Sequence, residues 1–215
     1  MQVISFVTQK GGSGKTTLAI NCAVTAAQKN KRVLIIDMDR QGTAESWYQD
    51  REAENPQLIK IEATELKKGI ETARKQKFDY VIIDTPGRDE PAQAAAIKAA
   101  DFCVVPCRPS PADMKATPPT VETIRRLGKP AFFVLTQTPP KSFRIREAER
   151  GLSVLGTVCS IPIVSRAVYQ DAQGAGLGVT EYEPEGKAAM EIRALWDWIQ
   201  KKVGKINYGK EKNIA

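Results

Sequence analysis

Residues 9–17 read Gln9-Lys10-Gly11-Gly12-Ser13-Gly14-Lys15-Thr16-Thr17. Three glycines set between two lysines let the chain turn tightly around a polyphosphate with successive backbone N–H groups pointing inward. A helix starting near Lys15 adds its positive dipole end to the same anion. Lys15 is then placed to reach the outer phosphates, and the Thr16 hydroxyl to ligate Mg²⁺. The common phosphate-loop pattern, G-x-x-x-x-G-K-S/T, asks for glycine where this chain has Gln9, and Lys10 follows it. The flanks supply the strand and helix such a loop requires. Val3-Ile4-Ser5-Phe6-Val7 is apolar and β-branched, and residues 17–29 are rich in alanine, with Leu18, Cys22 and Thr25 or Ala26 at helical spacing.

A chain of 215 residues is long enough for one sizeable core. One domain over residues 1–205 is expected, followed by a polar tail over 206–215. Hydrophobic residues at 42% and charged residues at 27% are ordinary for a soluble globular protein. No apolar run approaches the roughly 18 to 20 residues of a membrane span. The N-terminus runs straight into the first strand, so no signal peptide is expected. The absence of histidine excludes His-based triads and His-ligated zinc. Cys22, Cys103, Cys107 and Cys159 fall on or beside helix and strand segments and read as small core residues in a reducing, cytoplasmic compartment.

The formal charge of +7 is unevenly spread. Residues 125–150 hold seven basic side chains against Glu147 and Glu149, and residues 187–215 hold seven against Glu191, Asp197 and Glu211. Both are candidate polyanion surfaces.

Short β-branched runs alternate with helical segments from end to end, the pattern of an α/β fold with a mostly parallel sheet and helices on both faces. Strands are expected near 3–8, 32–37, 58–62, 79–84, 102–106, 131–137 and 157–161. Helices are expected near 15–29, 43–53, 64–76, 90–99, 118–127, 143–155, 166–173 and 185–203, with the last packed on the body through Ile192, Leu195, Trp196, Ile199 and Val203. The prolines of 109–119 read as corners that interrupt helices. Two runs, Arg32-Val33-Leu34-Ile35-Ile36-Asp37 and Tyr80-Val81-Ile82-Ile83-Asp84, look buried on both faces, and each ends in an aspartate. Ligands of open α/β sheets sit at the carboxyl ends of strands, so both aspartates point toward the glycine loop. Asp84 can hold a Mg²⁺-bound water, and Gly87 can bring a backbone N–H near a γ-phosphate. Asp37 is expected to support Mg²⁺ or its own loop, and both Asp37 and Asp39 can also cap the helix that begins near Thr43.

Lys10-Gly11-Gly12-Ser13-Gly14-Lys15-Thr16-Thr17 resembles the deviant Walker A motif of the ParA/MinD family of ATPases. That resemblance implies a P-loop fold, ATP with Mg²⁺, and a first lysine, Lys10, that reaches the nucleotide of a partner copy. Asp37-Met38-Asp39-Arg40-Gln41 is similar to the family's D-x-D-P-Q stretch, with Arg40 in place of proline, and by that likeness Asp39 orients the attacking water. Ser160-Ile161-Pro162-Ile163 resembles the loop bordering adenine, so Pro162 and Ile163 are assigned to the base. The likeness spans residues 1–203.

It further implies a ParA-type partition or positioning ATPase. ATP closes a homodimer, the dimer binds double-stranded DNA without sequence preference, and a ParB-like or cargo adaptor protein stimulates slow hydrolysis on the nucleoid. Arg166, Lys201, Lys202 and Lys205 are the DNA contacts expected. A MinD-like membrane ATPase is the alternative, but residues 206–215 offer few apolar side chains to bury. A ligase or iron–sulfur carrier on this scaffold would need paired cysteines or a substrate domain. With no helix-turn-helix segment ahead of the first strand, no operator-specific repression is expected.

Overall fold

The computed structural model describes residues 1–140 and 143–212, with side chains through Gly204. Its seven strands are β1 (Gln2–Phe6), β2 (Val33–Asp37), β3 (Gln57–Lys60), β4 (Tyr80–Asp84), β5 (Phe102–Cys107), β6 (Ala131–Leu135) and β7 (Thr157–Val158). They form one sheet in the order β3-β2-β4-β1-β5-β6-β7. Every pairing is parallel, so the sheet is wholly and not mostly parallel.

Alternation along the strands explains their near-continuous apolarity. Ile4, Phe6, Val33, Ile35, Ile82, Phe102 and Val104 face one side, where they pack with α1 (Lys15–Gln28) and α10 (Lys187–Lys212). Val3, Leu34, Ile36, Val81 and Ile83 face the other, under α3 (Leu66–Lys75) and α4 (Glu90–Ala99). Cys103, Val105, Phe133 and Leu135 extend that second face under α6 (Pro118–Arg126) and α7 (Phe143–Leu155). Strands covered on both faces have no solvent side to keep polar.

The expected last helix packs as read. Ile192, Leu195, Trp196, Ile199 and Val203 are buried, and each such side chain contributes about 1.5–3 kcal/mol. Trp196 meets the Tyr80 ring edge-on at 5.1 Å, and Gln200 Nε2 donates to the Tyr80 hydroxyl at 3.1 Å. Helix α10 runs to Lys212, beyond the expected end at 203.

Three local readings are corrected. The prolines of 109–119 start helices: Pro111 opens α5 (Pro111–Ala116) behind the Ser110 cap, and Pro118 opens α6. Proline at the first helical position loses no intrahelical bond, because that N–H has no partner in any case. A short helix α9 (Val179–Tyr182) follows α8 (Val168–Gly174) where no helix was expected. Strand β7 stops at Val158 instead of 161, although Cys159 and Ile163 still donate to Phe133 and Leu135 carbonyls of β6 at 2.8 Å. The amide between them on that side, Ile161 N, turns back to Cys159 Sγ at 3.5 Å, and the Leu135 carbonyl is left to Ile163.

All four cysteines are free and buried, as the sequence suggested. Burial pushes the Cys103 thiol up to about 12 and Cys159 up to about 11, and raises Cys22 and Cys107 as well. Among the described residues, no helix is long and apolar enough to cross a membrane.

Candidate phosphate-binding site

Register places the site. Phe6 pairs with Asp84, and Asp84 with Asp37, so β1, β4 and β2 end at one level and their following loops emerge side by side. Between those loops lies a cavity of about 810 Å³ lined by residues 11–17, 38–41, 86–89, Thr43 and Gln137.

The glycine loop takes a shape that side chains resist. Gly12 has φ 69° and Gly14, which caps α1, has φ 93°. Two residues beyond β6 lock it: Thr136 Oγ1 donates to the Ser13 carbonyl at 2.7 Å, and Gln137 Nε2 to the Gly12 carbonyl at 2.8 Å. Sequence reasoning missed both, since they lie more than a hundred residues away. Gly14→Ala should cost about 1–2 kcal/mol through its left-handed backbone. Urea unfolding checks this, and an unchanged midpoint would show that the loop relaxes freely.

Lys15 is buried at 6% exposure, and among the described residues its ammonium makes only one hydrogen bond, a long one of 3.5 Å to the Lys10 carbonyl. Burial lowers its pKa, while the Asp84 and Asp39 carboxylates pull it back up. A buried ammonium this poorly bonded is chemically suited to an anion. Asp84 is fully buried and, among the described residues, neither carboxylate oxygen has a hydrogen-bond partner. Burial pushes its carboxyl up to about 7. The Thr16 hydroxyl, close by without closing a bond, and Lys15 oppose that rise, whereas Asp37 and Asp39 add to it.

An orphaned carboxylate beside a hydroxyl is a hard-oxygen donor set, and it fits Mg²⁺. No group of three or more His, Cys, Asp or Glu ligands occurs among the described residues. That suits an ion that takes most of its ligands from phosphates and water.

Asp37 is committed elsewhere. Its oxygens accept from the Asp39 and Glu45 amides at 2.9 and 3.1 Å. Helix α2 (Thr43–Gln49) has Gly42 at its N-cap with no side chain to offer, so Asp37 caps it from the strand end. Burial still raises the Asp37 pKa against those two bonds. Asp39 stands in the cavity wall, its Oδ1 accepting from Gln41 N at 3.0 Å.

Gly87 presses on the glycine loop: a Cβ there would lie 3.2 Å from Gly11 Cα. Thr85 Oγ1 donates to the Phe6 carbonyl at 2.8 Å, and Gln93 Nε2 donates to the Pro86 and Thr8 carbonyls at 2.9 and 3.3 Å. Lys10 is half-buried and does not line the cavity of its own chain.

A smaller groove of about 200 Å³ continues from Gly14 and Thr17 to Ile163, Val164, Ser165 and Tyr169. Of the two residues assigned to the base, Ile163 lines this groove, with Val164 and Ser165 next to it, and Pro162 lies outside the lining. Arg166 also borders this groove, its guanidinium held by both Glu191 oxygens at 2.7 and 2.8 Å, which ties it to α10. Lys201 is exposed and Lys202 Nζ sits 5.2 Å over the Trp198 ring. The side chain of Lys205 lies outside the described residues.

A family model described as the CobQ/CobB/MinD/ParA nucleotide binding domain matches residues 4–173. The chain is 32% identical over 210 residues to a maintenance of carboxysome distribution protein A from Gloeobacter kilaueensis, covering 90% of this chain and 89% of that one. It is 30% identical over 193 residues to the protein of the same name from Halothiobacillus neapolitanus, with 85% and 88% covered. Among solved structures, the septum site-determining protein MinD of Pyrococcus horikoshii with Mg-ADP superposes with a TM-score of 0.76 at 19% identity, over 94% of this chain and 97% of that one.

Proposed function

This chain belongs to the CobQ/CobB/MinD/ParA nucleotide-binding family, and from that premise we propose that it is a ParA-type positioning ATPase whose whole body over residues 1–205 is one nucleotide-driven unit. The observation that carries the reading is a buried, under-bonded Lys15 at the end of the glycine loop together with an orphaned Asp84 at the end of β4. A phosphate would give Lys15 the acceptors it lacks, and a hard cation would give the Asp84 oxygens a partner. Thr16 and Asp84 would hold Mg²⁺, which would supply charge neutralisation to the bound phosphates.

Phosphoryl transfer needs in-line placement and cancellation of charge on three equatorial oxygens. Residues 11–14 offer backbone amides and Lys15 a cation. Asp39, held by Asp37 through its own amide, orients the attacking water. Lys10 lies outside the cavity of its own chain, and this supports its assignment to the nucleotide of a second copy. Hydrolysis and the closed homodimer then depend on each other. With no histidine in the chain and no strong base at the cavity, turnover is slow until a ParB-like or cargo adaptor protein completes the site.

Relatives named for carboxysome distribution support a cargo-positioning role, and the +7 charge supports double-stranded DNA as the track, with the protein cytoplasmic and nucleoid-associated. Lys201, Lys202 and Lys205 on α10 are the contacts proposed. Arg166, already paired with Glu191, joins them only if that pair opens.

If each protomer neutralises about 3 phosphates, log K falls against log salt with a slope of roughly −2.7 for a monomer and about −5.4 for a dimer. Retention on random-sequence DNA, compared with ATP, ADP and no nucleotide for wild type, Lys10→Ala and Lys15→Ala, tests the reading. Retention should need ATP and disappear in both variants. Retention that ignores nucleotide, or none at all, would sink the DNA track.

A further inference from the structure

Resting on the ATPase reading, we propose that Arg88 is a triphosphate-sensing residue whose guanidinium closes on the terminal phosphate of the nucleotide bound by its own chain. Arg40 and Arg88 line the cavity, and a third arginine, Arg108, comes within 4.0 Å of where a Cβ on Gly12 would stand. Arg108 Nε is bonded to the buried Asp113 at 3.0 Å, and Arg40 stands 3.8 Å from Glu62. Arg88 lines the cavity, is exposed, and has no acceptor among the described residues.

Its backbone is fixed from both sides. Upstream, Thr85 is bonded to the Phe6 carbonyl, the Pro86 carbonyl to Gln93, and Gly87 abuts Gly11. Downstream, Asp89 Oδ1 accepts from the Ala92 amide at 3.0 Å and so pins the start of α4. A free cation on an anchored backbone loses little freedom on binding, and the planar fork of arginine matches phosphate oxygens.

The end of the cavity it serves follows from its neighbour. A Cβ on Gly87 would lie 3.7 Å from Lys15 Nζ, the cation aimed at the outer phosphates, whereas the base groove is lined by Gly14, Thr17 and Ile163 and by none of residues 86–89. Arg88 therefore addresses a group that ATP has and ADP lacks. Its neighbour Asp89 also borders the cavity, but its Oδ1 accepts from the Ala92 amide, and among the described residues it forms no ion pair with Arg88.

The test is equilibrium binding of AMPPNP and of ADP, each with Mg²⁺, to wild type, Arg88→Ala, Arg88→Lys and Lys15→Ala. Arg88→Ala should weaken AMPPNP about 10- to 100-fold and ADP by less than about threefold, with Arg88→Lys in between. Its melting temperature should match wild type. The same loss should persist in a Lys10→Ala background, because the contact is made within one chain. Equal losses for both nucleotides, or no loss, would overturn the assignment, as would a loss that vanishes in that background. Wild-type protein that binds neither nucleotide would overturn the ATPase reading itself.

Discussion

Asp39→Ala should bind ATP as wild type does and turn it over about 10²- to 10⁴-fold more slowly, the usual contribution of a group that manages the attacking water's proton. The separation of binding from turnover follows from how the 37–43 loop is held. Asp37 grips the Asp39 and Glu45 amides, and neither bond uses the Asp39 carboxylate. That carboxylate makes one local bond, from Gln41 N, and otherwise faces the cavity. Removing it leaves the phosphate cradle of residues 11–17 in place. Single-turnover phosphate release beside nucleotide titration reads both quantities. A fall in turnover under about fivefold, or an equal fall in affinity, would show that Asp39 is not the water-positioning group. Trapped with ATP, the variant should also stay on DNA longer than wild type.

Arg51→Ala should destabilise the fold by about 3 kcal/mol or more, the cost of leaving one partner of a buried ion pair. Arg51 is 1% exposed and Glu181 21%. The guanidinium donates to both Glu181 oxygens at 2.8 and 2.9 Å and to the Gly176 and Asn55 carbonyls at 3.0 Å, and it stacks 5.1 Å over the Trp47 ring. Trp47 Nε1 meanwhile donates to the Leu177 carbonyl. These bonds fasten the end of α2 to the α8–α9 turn, where Gly176 comes so close that a Cβ would lie 2.3 Å from the Asp50 carbonyl oxygen. Urea unfolding of Arg51→Ala, Glu181→Ala and the double variant gives the coupling. The double variant should lose clearly less than the sum of the singles. Additive losses would mean the arginine acts through packing on Trp47 and not through the ion pair.

The parts of this molecule that were legible in its sequence are those fixed by near neighbours. The glycine loop announced itself because only glycine tolerates the backbone of Gly12 and Gly14, and the central strands because burial on both faces leaves uninterrupted apolar runs. What escaped depends on distant partners. Thr136 and Gln137 clamp the loop only once β6 lies near β1, and Arg51 reads as an ordinary surface arginine until α9 is folded against α2. Asp37 was read as a metal or capping residue, and its place in the fold gives it the cap, since both of its oxygens meet amides brought together by the β2–α2 turn. The missed helix α5 had a local signal. Ser110 followed by Pro111 and then Asp113 is a cap, a first-turn proline and an acidic N3 residue, and it was outweighed by reading proline as a breaker.

The buried cysteines have a practical corollary. Cys22, Cys103, Cys107 and Cys159 are sealed in the core as protonated thiols, so the native surface is silent to maleimide chemistry. A single cysteine introduced at an exposed position such as Val154, which is 83% accessible, becomes the sole address for a dye or cross-linker. Energy transfer between two such copies would then show whether they approach when nucleotide binds and part when it is spent, with every native residue of the site left in place.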